Sequence, residues 1–337
     1  MLNTFSVTNG ANPESLMIQT AGGHFWGSTE YGGAIPGANQ GGNGFGVLFN
    51  LETNGALVDR FDFGKTNGSS PNELLLGQDG NYYGTTTWGG NTSFYVYGFG
   101  TIFKLTPDGA LSTLYTFSGF ADGGFLYGGL AQAADGYLYG STFSGGAYGY
   151  GTLFRISTNG QFSTIYNFTG GSDGANPAAT LLVGPDGNLY GTTYNGGYGY
   201  GSVFQFTPSG NGSTLVLFTG MTGGFPGSRS QTPLVLGSDG NLYGATVYGG
   251  PSNQGTLFRV STPFPPAWQS ITQTNGIVTL SWNAILTQTY QVQYINDLAP
   301  SGWSVLGGNI LATNANMSVP DAMGSNTRRF YRLGILP

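Results

Sequence analysis

Residues 185–206 read PDGNLYGTTYNGGYGYGSVFQF, and close copies of this stretch recur along most of the chain. Asp186-Gly187 is a turn signal, and Leu189-Tyr190 opens a short run rich in Thr and Tyr. Gly196-Gly197 breaks that run, and Ser202–Phe206 begins another. Turn, strand, glycine loop and strand in that order describe a β-hairpin, and no helical period competes with it.

Two markers set the repeat. The glycine after the first-strand aromatic falls at Gly27, Gly84, Gly140, Gly191 and Gly244, and the next strand carries Phe49, Phe103, Phe154, Phe204 and Phe258. Both series keep step at intervals of 50 to 57 residues, which implies five copies of a propeller- or solenoid-type unit. The fourth copy holds four strand-like runs, at 162–168, 180–183, 188–194 and 201–207, the pattern of a propeller blade. The last copy stops after Thr256–Val260, one run short, and Asn3–Val7 stands alone at the other end. Pairing these two segments would close the ring and remove an exposed edge. The expected fold is therefore all-β: a five-bladed β-propeller over residues 1–262, closed by its N-terminal strand, then a small β-sandwich over 263–337. In that tail, after Pro263, Pro265 and Pro266, alternating runs are read at 277–282, 290–294, 303–306, 317–319 and 329–333. An early Trp282, a YQVQY run and a terminal RFYRL run resemble a fibronectin type III-like module, although about 70 residues is short for that fold.

Composition narrows the partners. Only 7% of the 337 residues are charged and 15% are aromatic, with net charge −6 and nine Lys+Arg. A usual domain carries roughly 25% charge. Stacking rings without a basic groove argue against nucleic acid. No cysteine is present, so disulfides and Cys-based zinc sites are excluded. No apolar run approaches a membrane span and no signal segment is visible, so membrane insertion is not expected. A polar, uncharged surface points instead to a neutral glycan or polysaccharide.

The double-glycine loops place aromatics on glycine-rich bends: Tyr31, Trp88 with Tyr97, Tyr148, Tyr198 and Tyr248. Ring faces beside Asn and Asp suit a pyranose, so these residues, with Asp122, Asp173 and Asn176, are the expected ligand contacts. The alternative is that the rings pack between neighbouring sheets. Acids outside the repeat consensus are Glu14, Glu30, Glu73, Asp122 and Asp173. Asp122 and Asp173 share a slot with Asn9 and Asn67, so loop capping or a repeated contact is favoured over a unique acid–base pair. The single-acid DG turns lack calcium spacing, and a lone His24 makes neither triad nor metal site. No catalytic residue, metal or cofactor is expected.

The pattern DGNLYGTT…GG…GYGTLFRI…NG…STIYNF, with DGANP, resembles the Gloeo/Verruco (GloVer) tandem repeat of bacterial surface and secreted proteins. The resemblance implies an extracellular or cell-surface setting and carries no catalytic residues to transfer. This chain departs from it at Phe125-Leu126 and in the expanded stretch 223–233. The leading functional expectation is a lectin-like or adhesive protein with several weak, equivalent sites on one propeller face. A self-assembling structural protein, with contacts through the C-terminal domain, stands second. A polysaccharide hydrolase or lyase, with Glu30 and Asp122 to vary, stands third.

Overall fold

The computed structural model describes residues 3–20, 22–34, 44–237, 239–261, 268–284, 288–297, 302–314, 316–323 and 328–336. The three prolines 263, 265 and 266 and part of the first double-glycine loop lie outside them. Among the described residues every regular element is a strand, paired antiparallel, and no helix is long and apolar enough to cross a membrane.

The first sheet has the order β1 (Ile18–Gln19), β2 (Phe25–Thr29), β3 (Val47–Leu51), β4 (Leu57–Asp62). The second runs β5 (Ser69–Leu76), β6 (Tyr82–Trp88), β7 (Thr101–Leu105), β8 (Leu111–Thr116). The third runs β9 (Ala131–Gln132), β10 (Leu138–Thr142), β11 (Thr152–Ile156), β12 (Phe162–Asn167). In the fourth, β13 (Ala175–Pro177) and β14 (Leu182–Val183) both pair with β15 (Leu189–Asn195), which leads to β16 (Ser202–Phe206) and β17 (Gly212–Leu217). The fifth has three strands, β18 (Val235–Leu236), β19 (Asn241–Thr246) and β20 (Thr256–Ser261). The chain divides into two compact units: residues 1–183, 187–234 and 244–258, and residues 184–186, 235–243 and 259–337.

The two repeat markers are one contact. Gly84 pairs with Phe103 across β6 and β7, and a Cβ on that glycine would stand 2.4 Å from the Phe103 ring. Gly27, Gly140, Gly191 and Gly244 face Phe49, Phe154, Phe204 and Phe258 in the same way, at 2.4–2.5 Å. The ring lies flat across the neighbouring strand because nothing larger than hydrogen is there. It then meets a phenylalanine from the preceding copy: Phe63–Phe103 at 5.3 Å, Phe117–Phe154 at 5.5 Å, Phe168–Phe204 at 5.3 Å and Phe218–Phe258 at 5.1 Å between centroids. These tilted or edge-on pairs join successive sheets.

The N-terminal segment corrects one expectation. Residues 3–7 form no strand, and among the described residues β20 pairs only with β19. The segment is held by a side chain and a turn instead of a backbone ladder. Phe5 packs on Phe49 at 5.0 Å, and Asn9 Oδ1 accepts the Ser6 amide. The consequence shows at Leu257, 90% exposed, whereas Leu48, Ile102, Leu153 and Val203 at the same place in the other sheets are fully buried.

The tail forms two three-stranded sheets. β21 (Trp268–Thr274), β22 (Ile277–Asn283) and β25 (Asn316–Ala322) make one, in the order β21-β22-β25. β23 (Thr289–Ile295), β24 (Ser304–Leu311) and β26 (Phe330–Leu336) make the other, in the order β24-β23-β26. Val278, Leu280, Trp282, Tyr290 and Val292 form their common core. β21 was not legible in the sequence, because past Trp268 all its residues are exposed and no apolar alternation marks it.

Candidate functional site

Each copy enters its sheet through a residue in the left-handed backbone region: Asn12, Ser70, Phe125, Asn176 and Arg229, with φ between 54° and 60°. Asn tolerates this conformation, while Phe and Arg are uncommon there. The hydrogen bonding explains the retention. The amides of Ser70, Phe125, Asn176 and Arg229 donate to Phe45, Phe99, Tyr150 and Tyr200 carbonyls of the preceding copy, at 2.8–3.0 Å. The turn is thus an inter-copy clasp, and it aims the residues that follow it.

Those residues converge on one cleft of about 400 Å³. Two residues after the left-handed position stand Glu14, Asn72, Tyr127, Ala178 and Gln231, and all five line it. Just before the first leucine of the innermost run stand Ser15, Glu73, Gly129, Thr180 and Pro233, and these also line it. Ser28, Glu30, Ser70, Thr87 and Trp88 complete most of the wall. A shallower depression lined by Tyr127, Phe143, Ala178, Tyr194 and Gln231 shares three of its residues with the cleft.

The polar wall is tied together across copies. Glu73 accepts a hydrogen bond from Thr180 Oγ1, which itself accepts the Gly129 amide at 2.7 Å, so three copies hold one carboxylate in place. Asn72 Nδ2 donates to Leu126 O at 2.7 Å and Thr87 Oγ1 to the same carbonyl at 2.8 Å. Ser28 Oγ bridges to the Pro71 and Asn72 carbonyls. Glu30 accepts from the neighbouring Tyr31 hydroxyl, and that bond, then burial and the Glu30 and Glu14 charges, push the Tyr31 pKa up to about 12. Ser70 is 4% exposed and its Oγ has no hydrogen-bond partner. Three carboxylates and no Lys, Arg or His line this cleft. Among the described residues no group of three acid, His or Cys side chains is placed to hold a metal ion.

The residues expected to contact ligand are dispersed. Trp88 lines the cleft, but its ring also packs on Phe125 at 4.9 Å and on Tyr95 and Tyr97, so Tyr97 belongs to an aromatic cluster. Tyr31 is occupied by Glu30. Tyr148 and Tyr198 are 60% and 69% exposed on their loops, and Tyr248 lies beside the Arg229 guanidinium. Asp122 and Asp173 are loop caps. Asp122 accepts from the Ser118 amide and hydroxyl and the Tyr115 hydroxyl, and Asp173 from the Thr169 and Tyr166 equivalents. Asn67 caps Gly64 likewise. Asn176 donates to Phe143 O at 2.7 Å. The DG-turn aspartates are structural: Asp79, Asp135 and Asp239 each accept from the tyrosine hydroxyl four residues on. Sequence reasoning noted Glu14, Glu30 and Glu73 without seeing that they meet, and missed Ser70, Tyr127, Thr180 and Gln231. The available signal was positional: Glu14, Asn72, Tyr127, Ala178 and Gln231 each lie four residues after the Gly10, Gly68, Gly123, Gly174 and Gly227 turns, and Glu73 and Thr180 each directly precede the first leucine of the next run.

A family model described as a Gloeobacter/Verrucomicrobia repeat matches residues 92–295. No curated protein matches. Among solved structures the chain is similar to a luciferin-regenerating enzyme, at 16% identity over 74% of this chain and 78% of that one, TM-score 0.46. It is similar to a Bacteroides uniformis protein provisionally assigned as a 6-phosphogluconolactonase, at 16% identity over 90% and 87%, TM-score 0.44. A polysaccharide lyase of family PL25, an ulvan lyase, matches at 13% identity over 82% of each chain, TM-score 0.45. These are described as enzymes, and the expectation of a lectin-like or adhesive protein with several equivalent weak sites is corrected. The geometry gives the reason: the copies contribute unequal side chains to one shared cleft, while their double-glycine loops differ from packed clusters to lone exposed tyrosines.

Proposed function

The chain belongs to the Gloeobacter/Verrucomicrobia repeat family, and we propose that its five repeats form a five-bladed ring around one axial cleft, which hydrolyses a small hydroxylated substrate by acid–base chemistry. The observation that carries this reading is the lining of that cleft by same-slot residues from all five copies. A ring brings five equivalent positions to one place. An open array would spread them along its length.

Ring closure has its own support in the Phe5–Phe49 contact. It repeats the four phenylalanine pairs that join successive copies, with the N-terminal segment in the role of a preceding outer strand. The Gly33 amide donates to Val7 O as the Gly90, Gly146, Gly197 and Gly250 amides donate to Lys65, Phe120, Gly171 and Gly220. On this reading the ring closes through the Phe5 side chain and the Val7 carbonyl, without a further strand on β20.

The cleft volume suits one small molecule. Hydrolysis of an acetal or ester needs one group to protonate the leaving oxygen and another to take a proton from water. Glu73, oriented by Thr180, and Glu30, oriented by Tyr31, supply that pair. Trp88 and Tyr127 present ring faces to an apolar side of the substrate. Turnover of a panel of nitrophenyl glycosides and small lactones tests the reading. Glu30→Gln and Glu73→Gln each lower kcat by at least ~100-fold with the melting temperature retained. Unchanged turnover in both variants overturns it.

A further inference from the structure

The tail sandwich has four strand edges: β21 and β25 on one sheet, β24 and β26 on the other. An open edge is a template for another strand, and proteins blunt it with charge, proline or bulges. Three of these edges are blunted. β25 carries Pro320, which has no amide hydrogen to donate, and β26 carries Arg332. β24 is interrupted by Gly307 and Gly308, both in the left-handed region, where its register against β23 shifts. β21 has no charged residue and no proline from Trp268 to Thr274. Its bulge is confined to the start of the strand, and residues 270–274 keep unbroken register with β22. Among the described residues β21 pairs with β22 alone.

The open edge also leaves apolar surface uncovered. Ile271 stands opposite Leu280, which is fully buried, yet Ile271 is 53% exposed. Directly opposed residues of an antiparallel pair share a face, so Ile271 lies on the core-facing side of its sheet with no further strand beyond it. The strand itself indicates what fits there. Outward from Ile271 it reads the same in both directions: Ser270 mirrors Thr272, and Gln269 mirrors Gln273. A two-fold axis brings each residue against its mirror position on the other copy, so a strand of this kind is complementary to itself.

We propose that β21 pairs antiparallel with β21 of a second copy of this chain, Ile271 opposite Ile271, in a closed dimer. The pairing joins two sheets into one, sets hydroxyls at 270 against hydroxyls at 272 and amides at 269 against amides at 273, and covers both isoleucines. Both open edges are consumed, so assembly stops at two. The proposal is independent of the cleft reading, since no β21 residue lines the cleft.

The chain has no cysteine, so a single one can report the register. Ile271→Cys forms an intermolecular disulfide under mild oxidation, because directly opposed Cβ atoms stand about 4.5–5.5 Å apart, near the span a disulfide bridges. Thr274→Cys does not, because position 274 then faces position 268 and the two 274 positions are about 20 Å apart. Sedimentation equilibrium of the parent full chain shows a monomer–dimer equilibrium. Ile271→Lys, at an exposed position, keeps its melting temperature and weakens the dimer at least ~10-fold, since it sets like charges directly opposite each other. A parent that sediments as a monomer at every concentration, a dimer untouched by Ile271→Lys, or cross-linking of Thr274→Cys as readily as Ile271→Cys overturns the proposal. The cysteine pair decides the register whatever the lysine does to stability.

Discussion

Gly140→Ala is the sharpest probe of how the repeat holds itself together. Gly140 has no left-handed backbone requirement, so alanine is conformationally allowed there. By backbone entropy alone the substitution stabilises by about 0.4–1 kcal/mol. Against that, the new Cβ stands 2.5 Å from Phe154 Cζ and 3.1 Å from Leu130 Cδ2. Both side chains are buried, Phe154 completely, so neither can swing aside. Overpacking of this kind costs about 1–3 kcal/mol, which exceeds the entropic gain. The net loss is then up to ~2.5 kcal/mol, and at about 2–4 °C per kcal/mol for a domain of this size class the melting temperature falls by up to ~10 °C. Phe154→Leu alone also destabilises, because it leaves a cavity. The pair together loses less than the sum of the two, since the shorter side chain vacates the space the methyl needs; the coupling is ~0.5–3 kcal/mol. Thermal unfolding of the four proteins measures this cycle. A Gly140→Ala variant that melts higher than the parent, or strictly additive losses, refutes the ring-over-glycine account.

In the tail, Asp321 and Arg329 are a buried pair at 2.6 Å with Tyr331 bonded to the same carboxylate, so Asp321→Ala destabilises by about 3–5 kcal/mol in urea unfolding, whereas a surface-like loss under 1 kcal/mol contradicts the burial. The Asp239 carboxyl is lowered to about 2, chiefly by the Tyr243 hydroxyl and then by Asn241. A depressed carboxyl stabilises the fold above its unfolded pKa, so this contribution is complete above about pH 4 and is lost as pH falls toward 2; an NMR titration midpoint near 4 in the folded protein counts against it. Phe5→Ala opens the proposed closure and lowers the melting temperature, while Tyr148→Ala with Tyr198→Ala, both exposed, changes neither stability nor turnover.

The fold was legible where a residue's role is local and repeated. Gly27 and its four equivalents, with Phe49 and its four, marked the period correctly, and their agreement reflects a direct contact between the two series. Asp122 and Asp173 share a slot with Asn9 and Asn67, which left capping and ligand contact as equal readings in the sequence; in the fold all four accept local hydrogen bonds. The cleft was not legible, because its residues are the ones that vary between copies: Glu73, Gly129 and Thr180 look unrelated until the folded chain places them on one wall. Loop aromatics drew attention instead, since an exposed Tyr198 and a packed Tyr97 read alike in a glycine-rich string. Asn3–Val7 had the composition of a strand, but the segment is held by Phe5 packing on Phe49 and forms no backbone ladder.

A crystal structure of the chain soaked with a small sugar lactone bears most directly on the cleft. The account places one sugar per chain, against Glu30 and Glu73 and within reach of Trp88. Sugar seated on the Tyr148 and Tyr198 loops, at two or more places per chain with the cleft empty, contradicts it.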